Sequence, residues 1–499
     1  MANEFAIGFD NLEQETIDQE LHVDSGHLPP WLRGSLIRTG PTLFRLAQQS
    51  YQHWFDGLAM LQKFAFDDGK ARYTGRFLRS PDYVKSSRTG LVSSDEFVSV
   101  PSRGPLERLF TLVDPERQFG RNGMVNVLKL NDSCYIAMTE NPLAVQFNPA
   151  DAATVGAFDY PDDLHSVLNM ITTAHPRYDV ARKSIYNFVS RLIPLRPRYV
   201  VYRLDNGSTR RTVVGEIETD ALAYMHSFGM SENYIVLAEF PLVTHPTSLF
   251  FMPLFGTPYI KSYTWKAQRG TRFRVMDKRD GKLVGTWEHD ALFAFHHVHA
   301  QEVGDELFVD LSVYEGGPAV IDQFYLARLR AAGGGEISYS GLRRYRLPLR
   351  GGSLRGGSLR GDSVREERLA EPMLEMPQFN YRRCSNGSYR YIYGVSFTAP
   401  GKFVDQLVKI DLQKNENRFW HEDGCYPGEP VFVPRTAGTA AGDAGAEDDG
   451  VNISVVLDTR RRRSFLLLLD ASTFEEMARL DLPHAIPFML HGQFYAGVL

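Results

Sequence analysis

The sequence predicts an all-β architecture, either a large barrel or a propeller. Short alternating segments recur along most of its 499 residues, and 23 Tyr and 32 Phe bias it toward strands. Helical periodicity is sparse and never alternates with strands in a βαβ rhythm, which excludes a doubly wound sheet.

In chain order, residues 1–27 are polar and acidic and read as an N-terminal extension. Leu28-Pro-Pro-Trp-Leu-Arg-Gly then opens a series of short strands bounded at many ends by Gly, Asn, Asp or Pro. The clearest are Arg72–Phe77, Met124–Leu130, Ser133–Met138, Tyr199–Leu204, Tyr234–Glu239, Glu306–Val313, Arg390–Phe397, Leu407–Asp411, Val451–Asp458 and Ser464–Asp470. Candidate helices are Asp151–Gly156, Asp159–Leu168 and Ile321–Leu329. Residues 349–364 repeat Leu-Arg-Gly-Gly-Ser, and 436–446 are rich in Ala and Gly, so both read as flexible loops inserted in a single domain. The run Arg460–Arg463 falls in a turn between two strands and reads as a solvated hairpin tip.

A net charge of −5 gives no support for a nucleic-acid groove. Three cysteines at unrelated spacings, Cys134, Cys384 and Cys425, point to a reducing, cytoplasmic setting. No run of 18 apolar residues exists, so the expectation is a chain that does not span a membrane but can lie on one. The stretch Thr247–Ile260 is unusually apolar and is followed by Lys261, Lys266 and Arg269.

Three of the 14 histidines crowd into Ala294–Glu302. Period-two alternation there puts His296 and Val298 on one face and His297 and His299 on the other, so locally the pair His297/His299 looks like the better ligand set. His175 precedes a proline, His226 follows an apolar run, and His491 precedes a glycine. Taken singly, each is more often a hydrogen-bonded core histidine than a ligand. There is no His-Glu-x-x-His and no Cys-x-x-Cys to name a metal.

Read together, Arg38-Thr-Gly-Pro41, His53-Trp-Phe-Asp-Gly-Leu-Ala-Met-Leu61, Thr139-Glu-Asn141, Thr173-Ala-His-Pro176, His226-Ser-Phe-Gly-Met-Ser-Glu-Asn-Tyr234, Phe295-His296 with Ala300 and Glu302, Glu375-Met-Pro-Gln-Phe-Asn-Tyr381, Glu429-Pro-Val-Phe432, Glu447-Asp-Asp-Gly450 and His491-Gly492 resemble the carotenoid cleavage oxygenases, nearest to their animal-type β-carotene oxygenase and retinoid isomerase branch. The resemblance implies a seven-bladed β-propeller with a helical and loop cap over a metal site at its axis. It implies Fe(2+) held by His175, His226, His296 and His491, with His297, His299 and His484 outside the site. Glu140, Glu375 and Glu429 match positions whose carboxylates orient the ligands, three of the four histidines being expected to donate to them. Thr139 matches a threonine whose methyl restricts one open metal position. The implied reaction inserts both atoms of O2 across a double bond of a carotenoid, giving two aldehydes. Central cleavage to retinal is the first expectation, apocarotenoid or stilbene cleavage the alternative. Leu249, Phe250, Phe251, Leu254 and Phe255 are expected to form a membrane-touching rim at the tunnel mouth, with Arg191–Tyr199 beside it. A non-catalytic propeller that binds carotenoid or a protein partner and a zinc hydrolase are the rival classes, separable by iron content and by a requirement for oxygen.

Overall fold

Seven antiparallel sheets of four to six strands account for most of the secondary structure in this computed structural model, which describes residues 3–111, 119–164, 171–192, 196–333, 335–349, 364–435 and 445–499. Several are plain meanders, such as Asn126–Asn131, Cys134–Met138, Ala144–Phe147 and Thr154–Phe158. The terminal strands of successive sheets touch one another around a common axis, Gly229–Met230 against Ala294–Val303 and the latter against Glu375–Gln378. These are the blades of a seven-bladed propeller, and full closure leaves few sheet edges exposed.

Segments from both ends of the chain complete the ring. Gly492–Ala496 pairs with Gly34–Leu43, with Ile37 opposite Gln493, and forms the inner strand of the closing blade. Residues 1–27 are more than an extension: Thr16–Glu20 is the outer strand of that blade and His22–Gly26 the outer strand of its neighbour. Their polar composition follows from facing solvent at a blade rim. Between the two blades Leu36, Phe64, Tyr73, Leu466 and Leu468 form a shared core, each side chain contributing about 1.5–3 kcal/mol.

All ten of the strand segments read from the sequence lie on strands. The helix expected at Asp151–Gly156 is instead a turn and the strand Thr154–Phe158. Asp151 accepts from the Ala153 N–H and Ala152 takes a positive φ of 57°, so an Asx turn wins over a window too short to set a helical period. Asp159–Leu164 is turn and irregular structure, and 165–168 lie outside the described residues, as do 350–363 and 436–444 of the two repetitive loops. Ile321–Leu329 does fall on two short helices, Ala319–Gln323 and Leu326–Arg330. The apolar stretch Thr247–Ile260 lies largely on a helix, Pro246–Phe255, capped by His245 and stopped by Gly256 at φ 60°.

Motif residues away from the site lock blades together. Glu302 accepts from the Ser231 hydroxyl at 2.7 Å and from Asn233 N–H and Nδ2 at 2.8 and 3.0 Å, which joins the two motifs. Glu447 accepts from the Arg390 and Tyr391 N–H groups at 2.7 and 2.9 Å.

Candidate metal centre

Seven inner strands running the same way put their starting residues at one depth on the axis. His175 lies two residues before Arg177–Asp179, His226 three before Gly229–Met230, and His491 immediately before Gly492–Ala496. His296 is near the start of Ala294–Val303, Glu375 opens Glu375–Gln378, and Glu429 lies two residues before Val431–Pro434. Topology therefore brings together residues as far apart in sequence as His175 and His491. One nitrogen of each of the four histidines lies within 4.8 Å of the others.

Three of the rings are oriented by carboxylates. His226 Nδ1 lies 2.6 Å from Glu140, His296 Nδ1 2.5 Å from Glu375 and His491 Nδ1 2.9 Å from Glu429. Among the described residues no carboxylate pairs with His175. Burial, followed by the neighbouring rings, holds His175 and His296 far below the usual imidazole pKa, so both are neutral. With Nδ1–H given to a carboxylate, each Nε2 of the other three carries a lone pair. The ring nitrogens converge: Nε2 of His175 and His226 are 2.9 Å apart, and those of His296 and His491 are 3.3 Å apart. Two lone pairs facing one another at that range repel unless a proton or a metal cation lies between them, and four rings converging on one point leave room for a cation to serve all of them. Two imidazoles at right angles, each about 2.1 Å from a divalent ion, would sit about 3 Å apart, so the donor set fits such a metal.

Supporting contacts extend beyond the residues singled out in the sequence. The Tyr224 hydroxyl donates to Glu140 at 2.9 Å, and Gln378 Nε2 and the Gly492 N–H donate to Glu429 at 2.9 and 3.0 Å. Burial raises Glu429, but the His491 ring, the buried Arg38 guanidinium and the Gly492 N–H outweigh it and leave its pKa below the ordinary value. Burial pushes Glu375 up to about 7. Arg38 and Gln378 both sit inside quoted motifs, and Tyr224 lies two residues before His226, so their positions were the available signals.

His297 and His299 stay outside the cluster, but they do not share a face as alternation predicts. Pairing runs Ala294 to Val313, His297 to Leu311 and His299 to Asp310, so the strand holds two extra residues. These bulges re-aim its side chains. His297 Nδ1 meets the Ser227 hydroxyl at 2.9 Å beside Phe240, while His299 Nε2 meets the Gly387 carbonyl at 2.9 Å beside Phe379 and Tyr389, toward the next blade. His484 is also remote, 3.4 Å from the Tyr73 hydroxyl.

A cavity opens on the histidine face. Thr139, Glu140, His226, His296, Glu375 and His491 line its metal side, and Phe55, Phe97, Phe295, Phe324, Phe403 and Phe488 are among the aromatic residues of its walls. The cap over it is pinned by the His53–Leu61 motif: Trp54 Nε1 donates to the Phe488 carbonyl at 2.9 Å, and Asp56 accepts from the Val98 and Ser99 N–H groups at 3.1 and 2.9 Å, fixing the loop that carries Phe97. Outside, Pro246–Phe255 packs on the helix Pro105–Thr111, with Arg108 Nη1 3.2 Å from the Leu254 carbonyl. Phe250, Phe251 and Phe255 are exposed there beside Leu106, Leu109 and Phe110. Leu254 is half-buried. Leu249 corrects the expected rim: it is 1% exposed because it shares the inward helix face with Met252 and Pro253. Ile193 and Leu195, expected near the same surface, lie outside the described residues. No helix among the described residues is long and apolar enough to cross a membrane.

Comparison with known proteins places this geometry. The family model described as retinal pigment epithelial membrane protein (RPE65) matches residues 9–496. Carotenoid cleavage dioxygenase 8 homolog B, chloroplastic, from Oryza sativa subsp. japonica is 32% identical over 97% of this chain and 84% of its own length. The human mitochondrial carotenoid-cleaving dioxygenase is 31% identical over 94% and 87%. Among solved structures, cobalt-substituted apocarotenoid oxygenase from Synechocystis superposes with a TM-score of 0.83 over 99% of this chain and 98% of that one, at 22% identity. The chain belongs to the carotenoid cleavage oxygenase family and is a dioxygenase that incorporates O2.

Proposed function

We propose that His175, His226, His296 and His491 hold a ferrous ion and that the protein cleaves a carotenoid at its central double bond, giving retinal-type aldehydes. The observation that carries this reading is the aromatic-lined cavity opening on four convergent imidazoles. Four neutral ligands suit a redox-active divalent ion, and bound iron would supply the one-electron steps that let dioxygen react with a polyene. Glu140, Glu375 and Glu429 orient three rings and offset the ion's charge, and Tyr224 fixes Glu140 in turn. Thr139, on the cavity wall beside Glu140, would narrow the approach to an ion held by the histidines. The aromatic walls hold the polyene and exclude water from it.

The exposed face formed by Phe250, Phe251, Phe255, Leu106, Leu109 and Phe110 rests on a membrane surface and takes up the substrate there. A second reading, cleavage of an apocarotenoid, draws on Asp95, Glu96 and Asn141 in the cavity wall, which suit an oxygenated chain end.

Protein loaded with ferrous ion and incubated in air with β-carotene, an apocarotenal and resveratrol tests these readings through the aldehydes identified by mass spectrometry. Retinal from β-carotene is the expected outcome. Turnover of the apocarotenal alone favours the second reading, and no aldehyde from any of the three overturns both.

A further inference from the structure

The first described element of the chain lies at one end of the cavity. Glu4–Phe9 is a two-turn 3-10 helix whose Phe5 and Phe9 are buried. The Phe9 ring centre lies 5.8 Å from Trp54, 5.7 Å from Phe403 and 5.1 Å from Phe488, and all three of those rings line the cavity. Phe5 stacks on Phe403 at 4.8 Å and 15°. On the outer side of that stacked pair is a hollow lined by Phe5 and Phe403 together with Glu4, Lys402, Asp423 and Tyr426. Phe403 is common to both spaces, so a thin aromatic layer divides the cavity from the hollow.

The helix is fitted to its seat. A Cβ on Gly8 would come within 2.2 Å of the Phe488 ring, and one on Gly335 within 2.4 Å of Phe5. The Phe488 N–H donates to the Gly8 carbonyl at 2.8 Å, Asn3 Nδ2 to the Leu329 carbonyl at 3.1 Å, and the Tyr426 hydroxyl to Glu4.

A conjugated polyene is a stiff rod that cannot fold back on itself. Where such a rod meets a fixed wall, the distance from wall to metal decides which double bond lies over the metal. We propose that Glu4–Phe9 is that wall: Phe5 and Phe9, acting through Trp54, Phe403 and Phe488, set how far a substrate extends past the histidine cluster and therefore which chain length is accepted. The inference rests on the polyene-cleaving reading above. It makes Phe5 and Phe9 positioning residues for specificity, acting at a distance from the chemistry.

The test uses the full chain, metal-loaded, with a ladder of apocarotenals differing by one isoprene unit. Phe5→Ala combined with Phe9→Ala should lengthen the cavity, and Val404→Phe, on the cavity wall next to Phe403, should shorten it. Thermal melting checks that each variant is folded. The ratio of kcat/KM for the longer to the shorter substrate should rise about tenfold in the first variant and fall by a similar factor in the second. Binding of the same ladder, followed by quenching of tryptophan fluorescence, gives the comparison without turnover. If wild-type protein cleaves no member, the polyene-cleaving reading fails while binding still judges the wall. Chain-length preference within twofold of wild type in a folded variant of either kind, by turnover where there is turnover and by binding otherwise, overturns the proposal.

Discussion

The two sides of the cavity are built by different physics. Its floor is the propeller's inner edge, where His226, His296 and His491 are each tied to a carboxylate at 2.5–2.9 Å. Its roof is the cap, where Phe55 meets Phe97 at 5.6 Å and Phe324 at 5.4 Å and rests on Phe295 of the inner strand at 5.7 Å. Hydrogen bonds to charged groups are directional and fix a ring to within tenths of an ångström, which metal binding requires. Dispersion contacts are individually weak and tolerate repacking, which suits selection among related polyenes. Chemistry should therefore fail when the floor is changed, and selectivity or substrate access when the roof is changed.

The largest effect tests the floor. His296→Ala removes one converging lone pair and leaves Glu375 buried without its ring, so iron content should fall to a trace and activity by about three orders of magnitude or more. Metal analysis of protein purified without chelator checks it, and a variant that keeps stoichiometric metal would remove the ion from this floor. Next comes Glu429→Ala, which frees the His491 ring without deleting it. Metal affinity should drop about 10–100-fold in a chelator competition, with partial activity restored at high ferrous ion. Loss as complete as that of His296→Ala would make the carboxylate a ligand in its own right.

The floor was legible in the sequence only in part. The four clustered histidines follow from the family resemblance, whereas the local pattern pointed at His297 and His299, because period-two alternation knows nothing of bulges. Which glutamate meets which histidine was not readable. The pairs are 62 to 86 residues apart, joined through sheet order rather than through any local spacing. The seven blades left no crisp repeat because inner strands are as short as Gly229–Met230 and the segments between strands differ in length. The roof was less visible still. Pro253 masked the helix Pro246–Phe255, and Glu4–Phe9 is too short for any period to register, although Phe5 and Phe9 carry much of its contact with the core.

On the outer surface of the roof, Phe250→Asp with Phe255→Asp should weaken binding to liposomes about tenfold or more in a flotation assay, since two exposed rings no longer bury in lipid. Metal content should stay at the wild-type level, and turnover of substrate presented in detergent should change little. Unchanged flotation would assign the apolar face to something other than a membrane.

The smallest effect marks where the floor ends. His299 lies three residues from His296 on the same strand, yet it spends its Nε2 on the Gly387 carbonyl between Phe379 and Tyr389. Burial lowers its pKa to about 4, so the ring is neutral across the working pH range and contributes one neutral hydrogen bond. His299→Asn shortens the side chain and at worst leaves that carbonyl unpaired. Stability should fall by about 1–2 kcal/mol, read from urea midpoints, while iron content and turnover remain at wild-type values. If His299→Asn instead lost iron, the bulges would not isolate His296, and the alternation that first grouped His297 with His299 would describe the strand better than its pairing register does.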